Sequence, residues 1–377
     1  MPRRSALFIL ALLGLLHLYI GVRLIPGLPF NVLGDLACAM LLVISTFLLP
    51  VGLMSSRFMR WKWADQLSWA SMLAMGFFSS LLLLTVLRDI VLGVLSLAGQ
   101  SKAALVQTTA IAVPLAALAV TLVGLINARR VARVVEVEVP IAGLPAALHG
   151  YSIAQISDIH VGATIKRGYL NAIVTKVNAL QADAIAITGD LVDGSVQRLS
   201  MHTAPLARLS ARDGTFVVTG NHEYYSGAHA WIAELRRLGL TVLINQHVLC
   251  ERDGEALMIA GVTDFTAHLF DPAHRSDPRA AAAGARRRVS AKILLAHQPR
   301  SAPAAAEAGF DLQLSGHTHG GQFFPWNLFV PLQQPFTAGL NKLGQLWVYT
   351  SRGTGYWGPP KRFGAPSEIT FVRLVAA

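Results

Sequence analysis

Charged residues are scarce in this 377-residue chain, in which Asp, Glu, Lys and Arg together make up only 14%. Hydrophobic residues make up 53%, and the mean hydropathy is +0.48. Soluble domains usually carry about 25% charged residues. The composition therefore excludes a chain that is soluble along its whole length, although the length leaves room for two or three domains.

Cysteine is nearly absent too, with Cys38 inside an apolar run and Cys250 in the more polar half. A disulfide between these positions is implausible, and so few thiols suit a reducing compartment. Basic residues outnumber acidic ones and give a formal net charge of +11. Anionic lipid headgroups or an anionic substrate explain this excess as well as nucleic acid does, so the charge alone does not indicate nucleic-acid binding.

Long apolar runs lie before residue 128, and each is close to the roughly 20 residues that span a bilayer. The four runs cover residues 6–24, 33–53, 67–87 (with an extension to 98 as the longer alternative) and 103–126. A cleavable signal peptide is the alternative for the first run, but no small-residue cleavage site follows it. We predict a four-helix transmembrane domain over residues 1–128.

Lysine and arginine flank the apolar runs unevenly, which predicts the orientation of the chain, because cytoplasmic loops carry the excess of basic residues. Eight lie on one side: Arg3, Arg4, Arg57, Arg60, Lys62, Arg129, Arg130 and Arg133. Three lie on the other: Arg23, Arg88 and Lys102. We therefore predict a multi-pass protein of the inner (cytoplasmic) membrane, with the N-terminus and the C-terminal domain on the cytoplasmic side.

One opposite-charge pair, Arg88 and Asp89, lies within an apolar stretch. An ionisable pair inside a membrane is by default a functional site. The alternative, which we favour, is an interfacial ion pair at the end of a long third helix.

The hydrophobic pattern changes after residue 128. Residues 129–150, a linker and first strand, alternate valine with glutamate, which is typical of a half-exposed strand. Over residues 151–377, apolar runs alternate with stretches of helical period at 168–180, 201–211 and 228–238, which predicts an α/β domain. Asp253-Gly254 indicates a hairpin. Residues 263–290 form either a basic helix near a site or, as we favour, a surface excursion.

Five apolar runs in this half end in residues of metal-ligand type. Side chains at strand ends converge at one edge of such a sheet. Carboxylate, amide oxygen and imidazole are all metal ligands. The residues delivered are Asp158 and His160, Asp190 and Asp193, Asn221 and His222, His297, and His317 and His319.

These blocks, written Asp158-x-His160, Gly189-Asp190-x-x-Asp193, Gly220-Asn221-His222-Glu223, His297 and Gly316-His317-x-His319, resemble the five-block signature of the calcineurin-like metallophosphoesterases. The resemblance covers residues 151–377, and stretches near its end, at 351–355 and 362–366, resemble the membrane-anchored bacterial branch. It implies an α/β fold, a four-layer αββα sandwich, and two divalent metal ions. Hard oxygen ligands mixed with imidazoles suit manganese, iron or zinc.

The resemblance also implies a role for each of these site residues. The first metal would be held by Asp158, His160, Asp190 and His319, and the second by Asp190, Asn221, His297 and His317. A shared carboxylate at Asp190 offsets the repulsion between two cations, which together supply a hydroxide that attacks phosphorus. His222 would be the general acid and Asp193 would orient it. Turn or capping roles are the alternative for Asp193 and Glu223.

The sequence therefore predicts a membrane-anchored phosphoesterase that cleaves a phosphoester or pyrophosphate bond, with membrane lipids around it. For the substrate, the resemblance offers a lipid-linked phosphate such as UDP-2,3-diacylglucosamine of lipid A synthesis. The apolar residues 326–332 would then receive the acyl chains of this substrate. The alternative is that these apolar residues pack in the core. One alternative is a tethered phosphodiesterase for soluble nucleotides or nucleic acid. Nucleic acid is not expected, because the aromatic residues here lack interleaved basic ones. The second alternative is a non-catalytic metal-binding scaffold, which would have no need of His222 or Asp190. Lys361 and Arg362 are either anion contacts or surface charges.

Overall fold

The computed structural model describes residues 3–58, 63–100, 103–285 and 288–377. Three of the basic residues that predict the orientation, Arg60, Lys62 and Lys102, lie outside the described residues, as do Arg286 and Arg287 in the basic stretch of 263–290. The chain forms two compact units. The first contains Met1–Ile126 and Gly358–Lys361, and the second contains Asn127–Trp357 and Arg362–Ala377.

Four helices make up the first unit: α1 (Arg3–Leu24), α2 (Val32–Phe58), α3 (Ala64–Leu97) and α4 (Ala103–Arg129). Each is long and apolar enough to cross a membrane, judged by length and composition. Large apolar side chains such as Leu15 and Leu41 are exposed on these helices, an arrangement that suits lipid rather than water. The third helix follows the longer of the two predicted extents, because it continues to Leu97.

The pair Arg88 and Asp89 belongs to a hydrogen-bonded network that joins α1, α3 and α4. Asp89 accepts hydrogen bonds from Arg23 Nε at 2.6 Å and from the Tyr19 hydroxyl at 2.7 Å. Arg88 is buried and donates to Thr109 Oγ1 at 2.9 Å. Both members therefore have protein partners, and the network links helices, as expected of a structural ion pair.

Lys361 lies in the first unit and is only 1% exposed. Its ammonium donates to the carbonyl oxygen of Gly76 at 2.8 Å and to the hydroxyl of Ser80. These protein oxygens hold the ammonium, so Lys361 is not presented to an anion.

Twelve strands of the second unit form two mixed sheets. In chain order they are β1 (Arg133–Ile141), β2 (Ser152–Ile156), β3 (Ala184–Thr188), β4 (Thr215–Val218), β5 (Thr241–Val242), β6 (Gln246–Arg252), β7 (Glu255–Gly261), β8 (Ala291–Leu295), β9 (Leu312–Ser315), β10 (Gly339–Leu343), β11 (Leu346–Thr350) and β12 (Glu368–Ala376). The first sheet has the order β1-β12-β2-β3-β4-β5 and the second β10-β11-β9-β8-β7-β6. Strands β2 to β5 run parallel, as do β7, β8, β9 and β11. The α/β fold with two mixed sheets confirms the predicted fold class.

Successive side chains of a strand point to opposite faces of its sheet, so the buried side chains of this unit form three hydrophobic cores. Ile185 and Ile187 of β3 pack with the helices that cover the first sheet, whereas Ala184 and Ala186 join the core between the two sheets. A third core lies on the other face of the second sheet. The helices of this unit are α5 (Arg167–Asn178), α6 (Val196–Thr203), α7 (Asn221–Ser226), α8 (Ala228–Arg237), α9 (Pro278–Ala282) and α10 (Ala302–Glu307).

Three local predictions meet different outcomes. The helix expected at 201–211 is wrong in its bounds, because α6 begins at Val196 and ends at Thr203, where Pro205 starts a 3-10 helix, Ala204–Arg208. The hairpin is confirmed: β6 and β7 pair through Asp253 and Gly254, both with positive φ. In the described part of 263–290 there are short 3-10 turns and the five-residue α9, and Arg286 and Arg287 of the alternative basic helix lie outside the described residues.

Candidate metal centre

The nine predicted site residues come together at the carboxyl ends of β2, β3 and β4 in one sheet and of β8 and β9 in the other. Gln155 helps align these two edges. It is fully buried, and its Nε2 donates to Thr188 Oγ1 and to the Ser315 carbonyl, each at 2.9 Å. These two bonds tie β2 to β3 and, across the sheets, to β9.

Asp158, His160 and His319 form the first ligand group, and all three are buried. Nε2 of His160 lies 3.1 Å from Nε2 of His319, and that nitrogen lies 3.5 Å from Asp158 Oδ1. Ligands of one tetrahedral ion stand about 3.3 Å apart, given metal to nitrogen bonds near 2.0 Å. The spacing therefore fits a single ion between these three side chains.

Asp190, His297 and His317 form the second group. His297 Nε2 lies 3.2 Å from Asp190 Oδ2 and 3.2 Å from His317 Nδ1. The other ring nitrogen of His297 lies 2.8 Å from the Thr188 carbonyl oxygen. Donation of an Nδ1–H to that oxygen leaves the Nε2 lone pair free for a metal.

The Asp190 carboxylate lies between the two groups. Its Oδ2 is 3.2 Å from His297 in the second group and 3.9 Å from His160 in the first. Its Oδ1 accepts a hydrogen bond from the backbone amide of His222 at 2.9 Å, which fixes the orientation of the carboxylate. This position is the one that a bridging ligand requires.

Asn221 supplies an independent test of whether the residues fit a metal. Its Oδ1 is buried, and it has no hydrogen-bond partner within the part of the chain that the structure describes. An unsatisfied buried acceptor costs about 1–3 kcal/mol. A cation at this oxygen removes that cost, so Asn221 fits the role of a metal ligand.

Five of the candidate ligands have a left-handed backbone, which is uncommon outside glycine. Their φ angles are 54° at Asp158, 55° at His160, 53° at Asp190, 70° at His317 and 51° at His319. Each such residue costs about 1–3 kcal/mol and persists only where the surrounding structure imposes it. The strain is thus concentrated in the loops that present the ligands.

Glycines make room for the two carboxylates. A Cβ at Gly220 would lie 2.2 Å from Asp190 Oδ1, and a Cβ at Gly316 would lie 2.2 Å from Asp158 Oδ2. Both distances are far inside van der Waals contact. The glycines that precede Asn221 and His317 are therefore required by the close approach of the ligands.

His222 lies beside the ligand groups and is 15% exposed in its side chain. Its Nδ1 is 2.6 Å from Asp193 Oδ1, and that oxygen is also 3.1 Å from Nδ1 of His160. Burial lowers the pKa of His222, but the charges of Asp190 and Asp193 outweigh it and raise the pKa to about 9. Two bound cations would oppose the effect of Asp190.

The imidazoles of the last block are poised as neutral ligands. Burial lowers the pKa of His317 to about 3. Burial and the Arg362 guanidinium hold the pKa of His319 well below its usual range. A histidine must be neutral to bind a metal, and these surroundings favour that form.

Sequence reasoning assigned three residues incompletely. Glu223 accepts hydrogen bonds from the backbone amides of Gly220, Asp190 and Leu191 at 2.6, 3.0 and 2.8 Å, so it positions the loop of the candidate bridging ligand, as the capping interpretation anticipates. Arg362, considered as an anion contact, is instead buried and donates to the carbonyl of His319 at 3.0 Å. The bond between Asp193 and His160 was also missed.

Comparison with known proteins is consistent with this geometry. Residues 151–321 match the family described as calcineurin-like phosphoesterase. A zebrafish (Danio rerio) protein named "Transmembrane protein with metallophosphoesterase domain" is 39% identical over 262 residues, which cover 67% of this chain and 60% of that protein. The Bos taurus protein of the same name is 40% identical over 296 residues, which cover 74% of this chain and 66% of that protein.

This chain thus spans less than two thirds of the length of either vertebrate relative. The Bacillus subtilis protein named "Uncharacterized metallophosphoesterase YkuE" is 30% identical over 242 residues, which cover 61% of this chain and 81% of that protein. On the strength of these matches, the chain belongs to the calcineurin-like metallophosphoesterase family.

Proposed function

We propose that this protein is a membrane-anchored, metal-dependent hydrolase of phosphoester or pyrophosphate bonds. The observation that carries the proposal is the position of Asp190 Oδ2 between two groups of buried imidazoles and carboxylates. If divalent ions were bound by these residues, they would supply an acidified water and would neutralise charge that grows on phosphoryl oxygens. Asp158, His160, Asp190 and His319 would hold one ion, and Asp190, Asn221, His297 and His317 the other.

His222 is the proposed proton donor. Its Nδ1 is engaged by Asp193 at 2.6 Å, which leaves Nε2 to donate a proton to the leaving oxygen of the substrate. Asp193 fixes the orientation of the ring and favours the imidazolium that can give up this proton. The donor lies close to the proposed metals, because Nε2 is 3.9 Å from Asp190 Oδ2.

For the substrate we propose a phosphoester with apolar chains. Two aromatic side chains border His222: the Tyr225 ring at 5.2 Å and the Trp357 ring at 5.6 Å between centroids, each about half exposed. Exposed apolar rings beside a proton donor suit an amphiphile whose headgroup carries the phosphate.

A second apolar surface follows the last ligand block along the chain. Its members are Phe324, Trp326, Leu328, Phe329 and Leu332, which are 46–81% exposed. The expectation that these side chains pack in the core is therefore wrong. Their exposure supports binding of acyl chains or contact with a lipid surface, and UDP-2,3-diacylglucosamine is one acylated substrate of this class to test first.

The proposal is tested in mixed micelles with acylated and deacylated forms of one headgroup. We expect a higher kcat/KM for the acylated form, and replacement of Phe329 and Leu332 by serine should reduce that preference. A small chromogenic phosphodiester should be hydrolysed equally by wild type and variant. Met201→Ser, which removes an exposed apolar side chain from α6, is the matched control.

Equal kcat/KM for the two forms would contradict the lipid substrate and favour the tethered phosphodiesterase. Absence of turnover of every phosphoester by the metal-loaded protein would instead contradict the hydrolase itself. The two failures are therefore distinguishable.

A further inference from the structure

A second cluster of metal-ligand side chains lies on the surface of the catalytic unit. It consists of His229 in α8 with Asp271 and His274 from the segment that follows β7. His229 Nε2 is 3.0 Å from Asp271 Oδ2, and His274 Nε2 is 3.9 Å from the same oxygen. The function proposed above uses none of the three.

Asp271 and His274 are each oriented by a hydrogen bond at the side-chain atom that faces away from the cluster. Asp271 Oδ1 accepts a hydrogen bond from the Ala273 amide at 2.9 Å, which leaves Oδ2 to face the imidazoles. His274 Nδ1 lies 2.8 Å from the hydroxyl of Tyr224, a side chain that is 7% exposed. When Nδ1–H donates to that hydroxyl, the Nε2 lone pair is free and points toward Asp271 Oδ2.

In protein zinc sites, the ligands are oriented in the same way by hydrogen bonds to neighbouring groups that do not contact the metal. Tetrahedral zinc with bonds of about 2.0–2.1 Å places its ligand atoms about 3.3 Å apart. The three candidate atoms lie within 4.8 Å of one another, so modest side-chain rotations of both the largely exposed His229 and His274 would bring them to this spacing. Two imidazoles and one carboxylate leave a fourth position for water.

We propose that His229, Asp271 and His274 form a third, mononuclear zinc site, separate from the pair of ions at Asp190. Zinc there would join the segment after β7 to helix α8. This segment also packs on α7, since the Phe270 ring is 5.9 Å from the Tyr224 ring and 5.6 Å from the Tyr225 ring. Tyr225 borders His222, so the bound ion stabilises one wall of the active site.

The test counts zinc in the full-length protein in detergent after equilibrium dialysis against a zinc buffer. His229→Ala and Asp271→Asn should each hold one ion fewer than wild type. His268→Ala, a change in the same segment outside the cluster, should hold the wild-type number. Tyr224→Phe should keep the site but weaken its zinc affinity by about 10–100-fold, because it removes the outer partner of a ligand.

A second readout does not depend on the other metals. Zinc should slow proteolysis within residues 265–275 of the wild type and of His268→Ala, and should not do so in His229→Ala. The same number of zinc ions in wild type and His229→Ala would overturn the proposal, as would zinc protection that is unchanged in His229→Ala.

Discussion

Asp193 Oδ1 lies 2.6 Å from Nδ1 of His222, and this short contact joins the loop after β3 to α7, the helix that follows β4. The same oxygen reaches Nδ1 of His160 at 3.1 Å. Burial alone would raise the pKa of Asp193, but the charges and hydrogen bonds of these two histidines hold it well below its usual range. One carboxylate thus orients both a candidate metal ligand and the candidate proton donor.

His222→Asn should retain its metals and lose turnover by about 10²–10⁴-fold, the usual contribution of general acid catalysis. The loss should shrink for substrates with good leaving groups, which need no proton. Steady-state kinetics on two leaving groups, with elemental analysis of the same sample, checks this. Wild-type activity on the poor leaving group would contradict the role.

Asp193→Asn should impair two properties together, because its carboxylate serves both His222 and His160. Turnover should fall, and affinity for the first metal should weaken by about 10–100-fold, as for other outer partners of ligands. A metal titration of activity separates the two effects. If only one of them changes, the shared role of Asp193 is wrong.

Asp190→Ala should lose both metals, whereas Asn221→Ala should weaken mainly the second. Binding to the folded state alone stabilises a protein by about 2.7 kcal/mol when free metal is 100 times its Kd. Chelation should therefore lower the Tm of the wild type by more than that of Asp190→Ala, in which the ion proposed at His229 would remain. One tightly bound ion in the wild type, retained in Asp190→Ala, would exclude the bridging assignment.

Glu223→Gln should destabilise the catalytic unit by about 1–3 kcal/mol, because an amide group can turn a donor toward backbone N–H groups that need acceptors. Glu223 is 1% exposed, so water cannot replace the lost bonds. Thermal unfolding against Glu307→Gln, a control with an exposed carboxylate, gives the comparison. Equal Tm values would show that Glu223 does not support the loop.

The orientation of the chain is checked by a reporter that is active only outside the cytoplasm, fused after Ala377. Because the excess of basic residues is predicted to face the cytoplasm, this fusion should be silent. A fusion within the loop near Leu28, on the predicted opposite side, is the positive control. A strong signal from the fusion at Ala377 would reverse the predicted topology.

Much of the fold was predictable from local pattern. Apolar runs of bilayer length predicted the four helices, because hydrophobicity and length are properties of the chain itself. Alternating apolar runs and helical stretches predicted the α/β unit. The bounds of α6 were missed although Pro205, which disfavours a continuous helix over 201–211, was visible in the sequence.

The sequence by itself determined which atoms the centre offers. Asp190, Asn221, His297 and their counterparts follow apolar runs, and the carboxyl ends of parallel strands meet at one edge of a sheet. The sequence also shows the glycines beside these ligands. It does not show why glycine is required there, because Gly220 and Asp190 approach each other from the ends of different strands.

Only the tertiary structure decided how those atoms are used. The left-handed backbone at Asp158 and four other candidate ligands is locally unfavourable, so no propensity predicts it, and packing must impose it. Asp193 contacts both His160 and His222 only because residues far apart in the sequence come together, and the same is true of His229 with Asp271 and His274. The packing of whole strands and helices determines such contacts, so they cannot be predicted from the spacing of residues along the chain.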